Sequence, residues 1–204
     1  MLWWVWRAAT RARTLDRVIV ATDDRRILDA ARGFGAEAVM TPRTCRSGSD
    51  RVAEVARRVK SDLVVNIQGD EPFLKPAAID RAVRPLLKAR RWRMGTLAAP
   101  LESAERPNAN MVKVWVNGTG AAKDFARTIP ARWRRAGQET RPYKHLGLYV
   151  YRRDLLLRLT RWPQTSRERR ERLEQLRALE HGVAIHVAEV QHAGRGVDTP
   201  RDLA

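Results

Sequence analysis

The stretch "RVIVATDDRRILDAARGFGAEAVM", residues 17–40, decides the fold class. Its opening "RVIVAT" (17–22) is a short, β-branched run with the composition of a buried strand. "DDRRILDAARGFG" follows with helical spacing of its apolar residues. Asp23 or Asp24 is placed to cap that helix and Gly33 to stop it. "AEAVM" is a second short strand. Two strands joined by a helix of about ten residues form a βαβ unit, and such units build parallel sheets.

The same rhythm extends outward. Upstream, Leu2, Val5, Trp6 and Ala9 share one helical face. Downstream, "TPRTCRSGS" reads as a polar loop, "DRVAEVARRV" as a helix and "DLVVNIQ" as a fully apolar strand. "PAAIDRAVRPLLKA" is a further helix with a proline inside its pattern. After Met94 the pattern changes to extended segments, "MGTLAAPL", "MVKVWVN" and "HLGLYVYRR", with long loops between them. "RRDLLLRLT" and "RERRERLEQLRALEHG" read as helices, the second stopped by Gly182, and "VAIHVAEV" is a late strand. The fold class expected is α/β, with a doubly wound core that carries a β-rich insertion at roughly 100–150.

Bulk properties narrow the function. The 204 residues suffice for one large domain. No apolar run approaches the roughly 20 residues that span a bilayer. "MLWWVWRAATRAR" lacks the order of charge, apolar run and small-residue site that a signal peptide needs, so the reading is cytoplasmic with no membrane partner. Lys and Arg number 40 against 23 Asp and Glu, a net charge of +17. The arginines alternate with carboxylates, as in "SRERRERLEQLR", and no nucleic-acid recognition motif accompanies them. The expectation is solvated helix faces, no nucleic acid, and room for an anionic small substrate. Cys45 is the single cysteine, so no internal disulfide forms.

Candidate chemistry sits at the end of the third strand. "VVNIQGDEPF" (64–73) runs from an apolar strand into the adjacent carboxylates Asp70 and Glu71. Ligands of open α/β sheets bind beyond the carboxyl ends of strands. A second carboxylate, Asp198, lies in "GRGVDTPRDL". There Thr199, Pro200 and Asp202 account for a helix start and leave Asp198 free. Carboxylates on two loops can share a hard divalent cation.

Seven motifs, "VIVATDD", "SGSDR", "VVNIQGDEP", "MVKVW", "HLGLYVYRRDLL", "LEQLRALEHG" and "GVDTPRDL", occur in the order found in the 3-deoxy-manno-octulosonate cytidylyltransferases. The resemblance covers nearly the whole chain. It implies a nucleotide-diphosphosugar-transferase-like α/β fold with a mixed, mainly parallel sheet and helices on both faces. It implies one cytidylyltransferase domain over 1–204, the 100–150 insertion serving sugar binding and dimerisation, and a homodimer. The implied reaction joins CTP to 3-deoxy-manno-octulosonate (Kdo) and releases diphosphate, for lipopolysaccharide synthesis. By the same resemblance Asp70 and Asp198 bind Mg2+. Gln68, Arg127, His145, Tyr149, Glu174 and Gln175 surround the sugar acid. Ser47 and Gly48 lie near cytosine and ribose, and Arg51 supports their loop. Judged by residue type alone, Glu174 and Gln175 are ordinary helix-surface residues.

The chain also departs from the family pattern. The usual opening strand and "IPARxxSTRLPGKPL" loop, which bring Arg and Lys to the triphosphate, do not precede "LWWVWRAA". The expectation is therefore an N-terminally truncated, inactive and poorly stable chain. A non-catalytic relative that binds a sugar acid or a protein is the alternative reading. Ser49 stands where threonine is usual and Cys45 where histidine is common. "AKDFART" differs from "LYFSRA" around Arg127.

Overall fold

The computed structural model describes residues 1–134 and 142–191. Helix α1 (Leu2–Thr10) leads into β1 (Ile19–Thr22), α2 (Arg25–Gly33) and β2 (Glu37–Met40), with β1 and β2 parallel and Ile19 opposite Glu37. Asp24 is the cap of α2, its carboxylate accepting from the Arg26 N–H at 2.8 Å. Leu28 and Ala31 on α2 pack against Val20 and Ala38. The helix stops at Gly33 as expected. Gly33 is its last helical residue, and the left-handed turn falls on Gly35 at φ 84°, where the Gly35 and Ala36 N–H groups return to the carbonyls of Arg32 and Ala31.

A six-stranded sheet forms the rest. It contains β3 (Leu63–Asn66), β4 (Met94–Pro100), β5 (Lys113–Val116), β6 (Ala122–Ala126), β7 (Tyr143–Arg152) and β8 (Ile185–Glu189). β7 is the reversed strand. One of its edges pairs along β4, and the other pairs with β3 at 149–152 and with β5 at 143–144. β3 and β4 both run against β7 and β4 runs with β8, so β3, β4 and β8 share a direction. That is the mixed α/β sheet expected from the sequence. β5, β6 and all but the last two residues of β7 fall in the 100–150 segment, where β6 and the short α5 (Ala131–Arg134) were not foreseen.

Both faces of this sheet are covered, and β4 shows it by alternation. Met94 and Ala98 enter one core with Tyr151, Leu155, Leu156, Leu159, Leu176 and Ile185. Leu97 and Ala99 enter the other with Ile79, Val83 and Leu86 of α4 (Pro76–Lys88) and with Leu148 and Val150. The first face is capped by α3 (Gly48–Arg58) and α6 (Arg153–Leu159), with α8 (Gln175–Glu180) lying beside them. The single helix expected over 167–182 is instead two, α7 (Ser166–Glu171) and α8. Arg172 breaks them in the left-handed region at φ 54°. The break turns Leu173 inward to 5% exposure and lets Glu168 reach Arg177, an ion pair that one continuous helix does not need.

Helix α3 packs on both β1 and β3. Yet β1 pairs only with β2, and β3 only with β7, among the described residues. The facing edges of these two strands carry no ladder.

Candidate functional site

The first turn of α3 builds one wall of the site. Ser47 caps the helix by accepting from the Asp50 N–H at 3.1 Å, and its hydroxyl donates to the Glu174 carboxylate at 3.0 Å. The next residue is glycine for a steric reason: a Cβ on Gly48 would lie 2.9 Å from Nε2 of Gln68. The Gln68 amide thus lies directly on the helix start. It donates to Asn66 Oδ1 at 3.1 Å, and Asn66 in turn reaches Ser49 Oγ at 3.5 Å. Ser49 Oγ shares a proton with the Tyr151 hydroxyl at 3.3 Å.

The second wall is β7. His145, Tyr149 and Tyr151 stand on one face of the strand, with ring centroids 5.4 Å and 6.1 Å apart in sequence along it. Phe125 of β6 meets His145 edge-on at 5.3 Å. Burial drives the His145 pKa down to about 3, so its ring is neutral at ordinary pH. Burial likewise raises both tyrosines, which stay protonated.

Residues 174 and 175 complete the enclosure, and here the sequence reading needs correcting. They are not helix-surface residues. Gln175 is 3% exposed, and its Nε2 is buried with no hydrogen-bond partner among the described residues. An orphaned buried donor facing a polar site is a ready contact for an oxygen-rich ligand. Burial raises the Glu174 carboxyl, and the Ser49 and Ser47 hydroxyls and the Arg177 charge hold it back only in part. Arg177 stands behind it, 3.6 Å from Glu174 and doubly bonded to Glu168.

Arg51 behaves as a brace. Its guanidinium donates to Thr41 Oγ1 at 2.6 Å and to Asp23 at 3.0 Å, tying the loop after β2 and the end of β1 to α3. Arg127 does not join the constellation by any hydrogen bond. Its guanidinium serves the carbonyls of Glu171, Ala109 and Asn110, and it approaches the site only through Phe125 two residues earlier. The carbonyl of Arg127 is held, with those of Asn108 and Met111, by the wholly buried Lys113.

Asp70 lies just past the end of β3, exposed and without an ion pair among the described residues. As an available carboxylate at a strand's carboxyl end it fits as one hard-oxygen ligand of a divalent cation. Asp198 lies outside the described residues. Gln68 and Glu71, on either side of Asp70, line a groove of about 760 Å³ that also includes Lys75, Arg81 and Gly147.

Several contributors were missed at the level of residue type: Thr96, Glu168, Arg177 and Asp124. Arg177 carries no periodic signal, since α8 buries four consecutive residues, Gln175 to Ala178, rather than one face. Asp124 sits at a departure from the family pattern and is buried among Arg132, Arg167 and the Trp133 indole N–H.

Comparison with known proteins follows the same lines. The family described as Cytidylyltransferase matches residues 1–185. The 3-deoxy-manno-octulosonate cytidylyltransferase of Geobacter sulfurreducens is 45% identical over 98% of this chain and 84% of its own length. That of Solibacter usitatus is 47% identical over 100% of this chain and 81% of its own. A solved structure of CMP:2-keto-3-deoxy-manno-octonic acid synthetase complexed with CTP superposes with a TM-score of 0.92, at 36% identity, covering 99% of this chain and 83% of that one. A 4-diphosphocytidyl-2C-methyl-D-erythritol synthase from Anaerococcus prevotii, at 13% identity and a TM-score of 0.63, shares the fold alone.

Proposed function

The chain belongs to the cytidylyltransferase family, and from that premise we propose that it transfers the cytidylyl group of CTP to Kdo, yielding CMP-Kdo and diphosphate for lipopolysaccharide synthesis. One observation carries the reading. Ser47, Gly48, Gln68, Glu174, Gln175, His145 and Tyr149, gathered from four separate parts of the chain, line a single face beyond β3.

In this reaction the C2 hydroxyl of the sugar acid attacks the α-phosphorus in line. It loses its proton, and the bond to the diphosphate leaving group breaks. The residues present contribute binding and orientation. The first turn of α3 offers Ser47 and the bare backbone of Gly48 to the nucleotide. The amide donors of Gln68 and Gln175 and the neutral ring of His145 suit a polyhydroxylated acid. Mg2+, when bound, supplies charge neutralisation and acidifies the hydroxyl. Asp70 is the ligand the described residues offer, with Asp198 as its partner from the family pattern. A cytoplasmic setting, where CTP is made, and a homodimer complete the proposal.

The test is diphosphate release with CTP, Kdo and Mg2+, each omitted in turn, by the chain fused behind the opening strand and loop of the family pattern, since the chain without them is expected to be inactive. Release should require all three, and Asp70→Asn should lower it by about a thousandfold, the scale of losing several kcal/mol of transition-state stabilisation. Turnover of another sugar acid, with none on Kdo, would overturn the substrate assignment. Near-normal activity in Asp70→Asn would overturn the metal assignment.

A further inference from the structure

β7 contains an irregularity that bears on its histidine. Along β4 the register jumps from Thr96 opposite Tyr149 to Leu97 opposite Leu146, so Gly147 and Leu148 face no β4 residue. On the other edge β3 pairs from Tyr149 onward and β5 pairs only at 143 and 144, so this stretch has no ladder there either. Leu148 is 2% exposed, and its carbonyl needs a donor. The hydroxyl of Thr96, itself fully buried, fills that role: Oγ1 lies 2.8 Å from the Leu148 carbonyl and 3.3 Å from that of Leu146. The same oxygen is 2.9 Å from Nε2 of His145.

A hydroxyl has one proton. Giving that proton to Nε2 would leave the buried Leu148 carbonyl, which lies outside both ladders, without a donor, so the proton goes to Leu148 and a lone pair of Oγ1 is left facing Nε2. Two lone pairs cannot share 2.9 Å favourably, hence Nε2 carries hydrogen. The ring is neutral, because burial holds its pKa near 3, so a single N–H is present. Nδ1 then has a bare lone pair, and it has no hydrogen-bond partner among the described residues.

We propose that Thr96 is a positioning residue, whose hydroxyl, anchored in the β7 irregularity, locks His145 as the Nε2–H tautomer and thereby makes Nδ1 a hydrogen-bond acceptor for a hydroxyl of the sugar acid. The substrate half of this rests on placing His145 at the sugar acid; the tautomer does not. It assigns His145 to reading a hydroxyl and excludes it from attracting the substrate's carboxylate, which a neutral acceptor repels. Thr96 acts through a proton it does not exchange with substrate, and valine of nearly the same shape would remove that control.

The experiment uses the 204-residue chain labelled with ¹⁵N, with long-range ¹H–¹⁵N spectra of the histidine rings assigned by a His145→Gln variant. The wild type should show Nε2–H at His145, Thr96→Val a shift toward mixed tautomers, and Thr96→Ser the wild-type pattern. Steady-state kinetics run beside it, on the chain fused behind the family's opening strand and loop. Thr96→Val should raise the KM for Kdo about five- to tenfold, the worth of one hydrogen bond, with smaller changes in kcat and in the KM for CTP, and Thr96→Ser should restore it. An Nδ1–H ring in the wild type overturns the proposal outright. A lost tautomer preference in Thr96→Val with an unchanged KM for Kdo overturns the positioning role. If His145→Gln leaves the KM for Kdo unchanged while the wild-type ring is Nε2–H, the placement of His145 at the sugar acid is what fails, and the substrate half falls with it. Should Thr96→Val not fold, Thr96→Ser and the wild-type spectrum still decide the tautomer.

Discussion

The two sheets of this molecule use the same residue types for opposite ends. On the β1–β2 flank, arginine meets carboxylate at the surface: Arg17 with Glu37, Arg25 with Asp29, Arg26 with Asp24. On the six-stranded side, beside exposed pairs such as Arg93 with Asp154, two carboxylates of the same chemistry are buried. Arg177 and Glu168 pair with side chains 6% and 4% exposed, and Asp124, itself 6% exposed, holds Arg167 and the outer Arg132. Exposed pairs add little because water solvates either partner alone. A buried pair is different, since neither partner has an alternative to the other. The flank's charges keep a surface soluble, whereas the interior charges fix where α7 and α8 stand, and so where Glu174 and Gln175 point.

The largest expected effect follows directly. Arg177→Met strands the Glu168 carboxylate and should cost about 3–5 kcal/mol, a large share of a typical domain's stability of roughly 5–15 kcal/mol. Urea unfolding should show the loss in its midpoint with an unchanged slope. The double variant Glu168→Gln with Arg177→Met should recover much of it, because position 168 then carries no charge to strand, while Glu174 loses its Arg177 neighbour in both variants. If the single variant unfolds like the wild type, the interior pair is no more consequential than those on the flank, and the contrast collapses.

A middle-sized effect concerns acid. The pKa of His145 is about 3 in the fold and about 6.5 unfolded. Between those values the unfolded chain binds a proton that the folded chain refuses, so stability is full above about pH 6.5 and is lost as pH falls toward 3. His186, also lowered by burial, acts in the same direction, while the raised carboxyl of Glu174 acts against both. The urea midpoint should therefore drop between pH 7 and pH 4.5, and drop less in His145→Gln. An equal drop in both proteins would place the acid sensitivity elsewhere. The flank's Asp24, with a pKa of about 2, remains ionised over that range and contributes little here.

The same division explains what could be read from the sequence. β1, α2 and β2 are bounded by local signals: a β-branched run, an aspartate cap, a glycine turn. They were legible to within two residues. The α/β class followed from their repetition. The reversed strand β7 was recognisable as extended, but its three partners lie far apart in the chain, and only packing selects them. Glu174 and Gln175 look like surface residues by type. Gln175 is buried and Glu174 half-buried because Arg172 takes a left-handed turn, an unfavourable choice for arginine that no local rule forecasts. Thr96 gave no signal at all, since its role depends on an irregularity in a different strand. Family resemblance supplied the site residues that periodicity could not, and the structure brings most of them together while leaving Arg127 occupied with backbone carbonyls.

The smallest effect is the sharpest control on the comparison. Arg17 grips Glu37 with two hydrogen bonds of 2.8 and 2.6 Å, a geometry as good as that of the interior pair. It sits just before β1 and opposite the start of β2, where Ile19 pairs with Glu37, so a contact-based view gives it the task of fastening a sheet of only four residue pairs. Exposure argues otherwise: the side chains are 55% and 41% accessible, and water replaces each partner at little cost. What holds β1 to β2 is the packing of Val20 and Ala38 against Leu28 and Ala31, which the substitution leaves intact. Arg17→Ala should therefore leave the urea midpoint unchanged at physiological salt, with a small loss emerging only at low ionic strength as screening weakens. Backbone amide exchange in β1 should be equally unaffected. A loss approaching that of Arg177→Met would mean that hydrogen-bond geometry, not burial, sets the worth of an arginine–carboxylate pair in this protein.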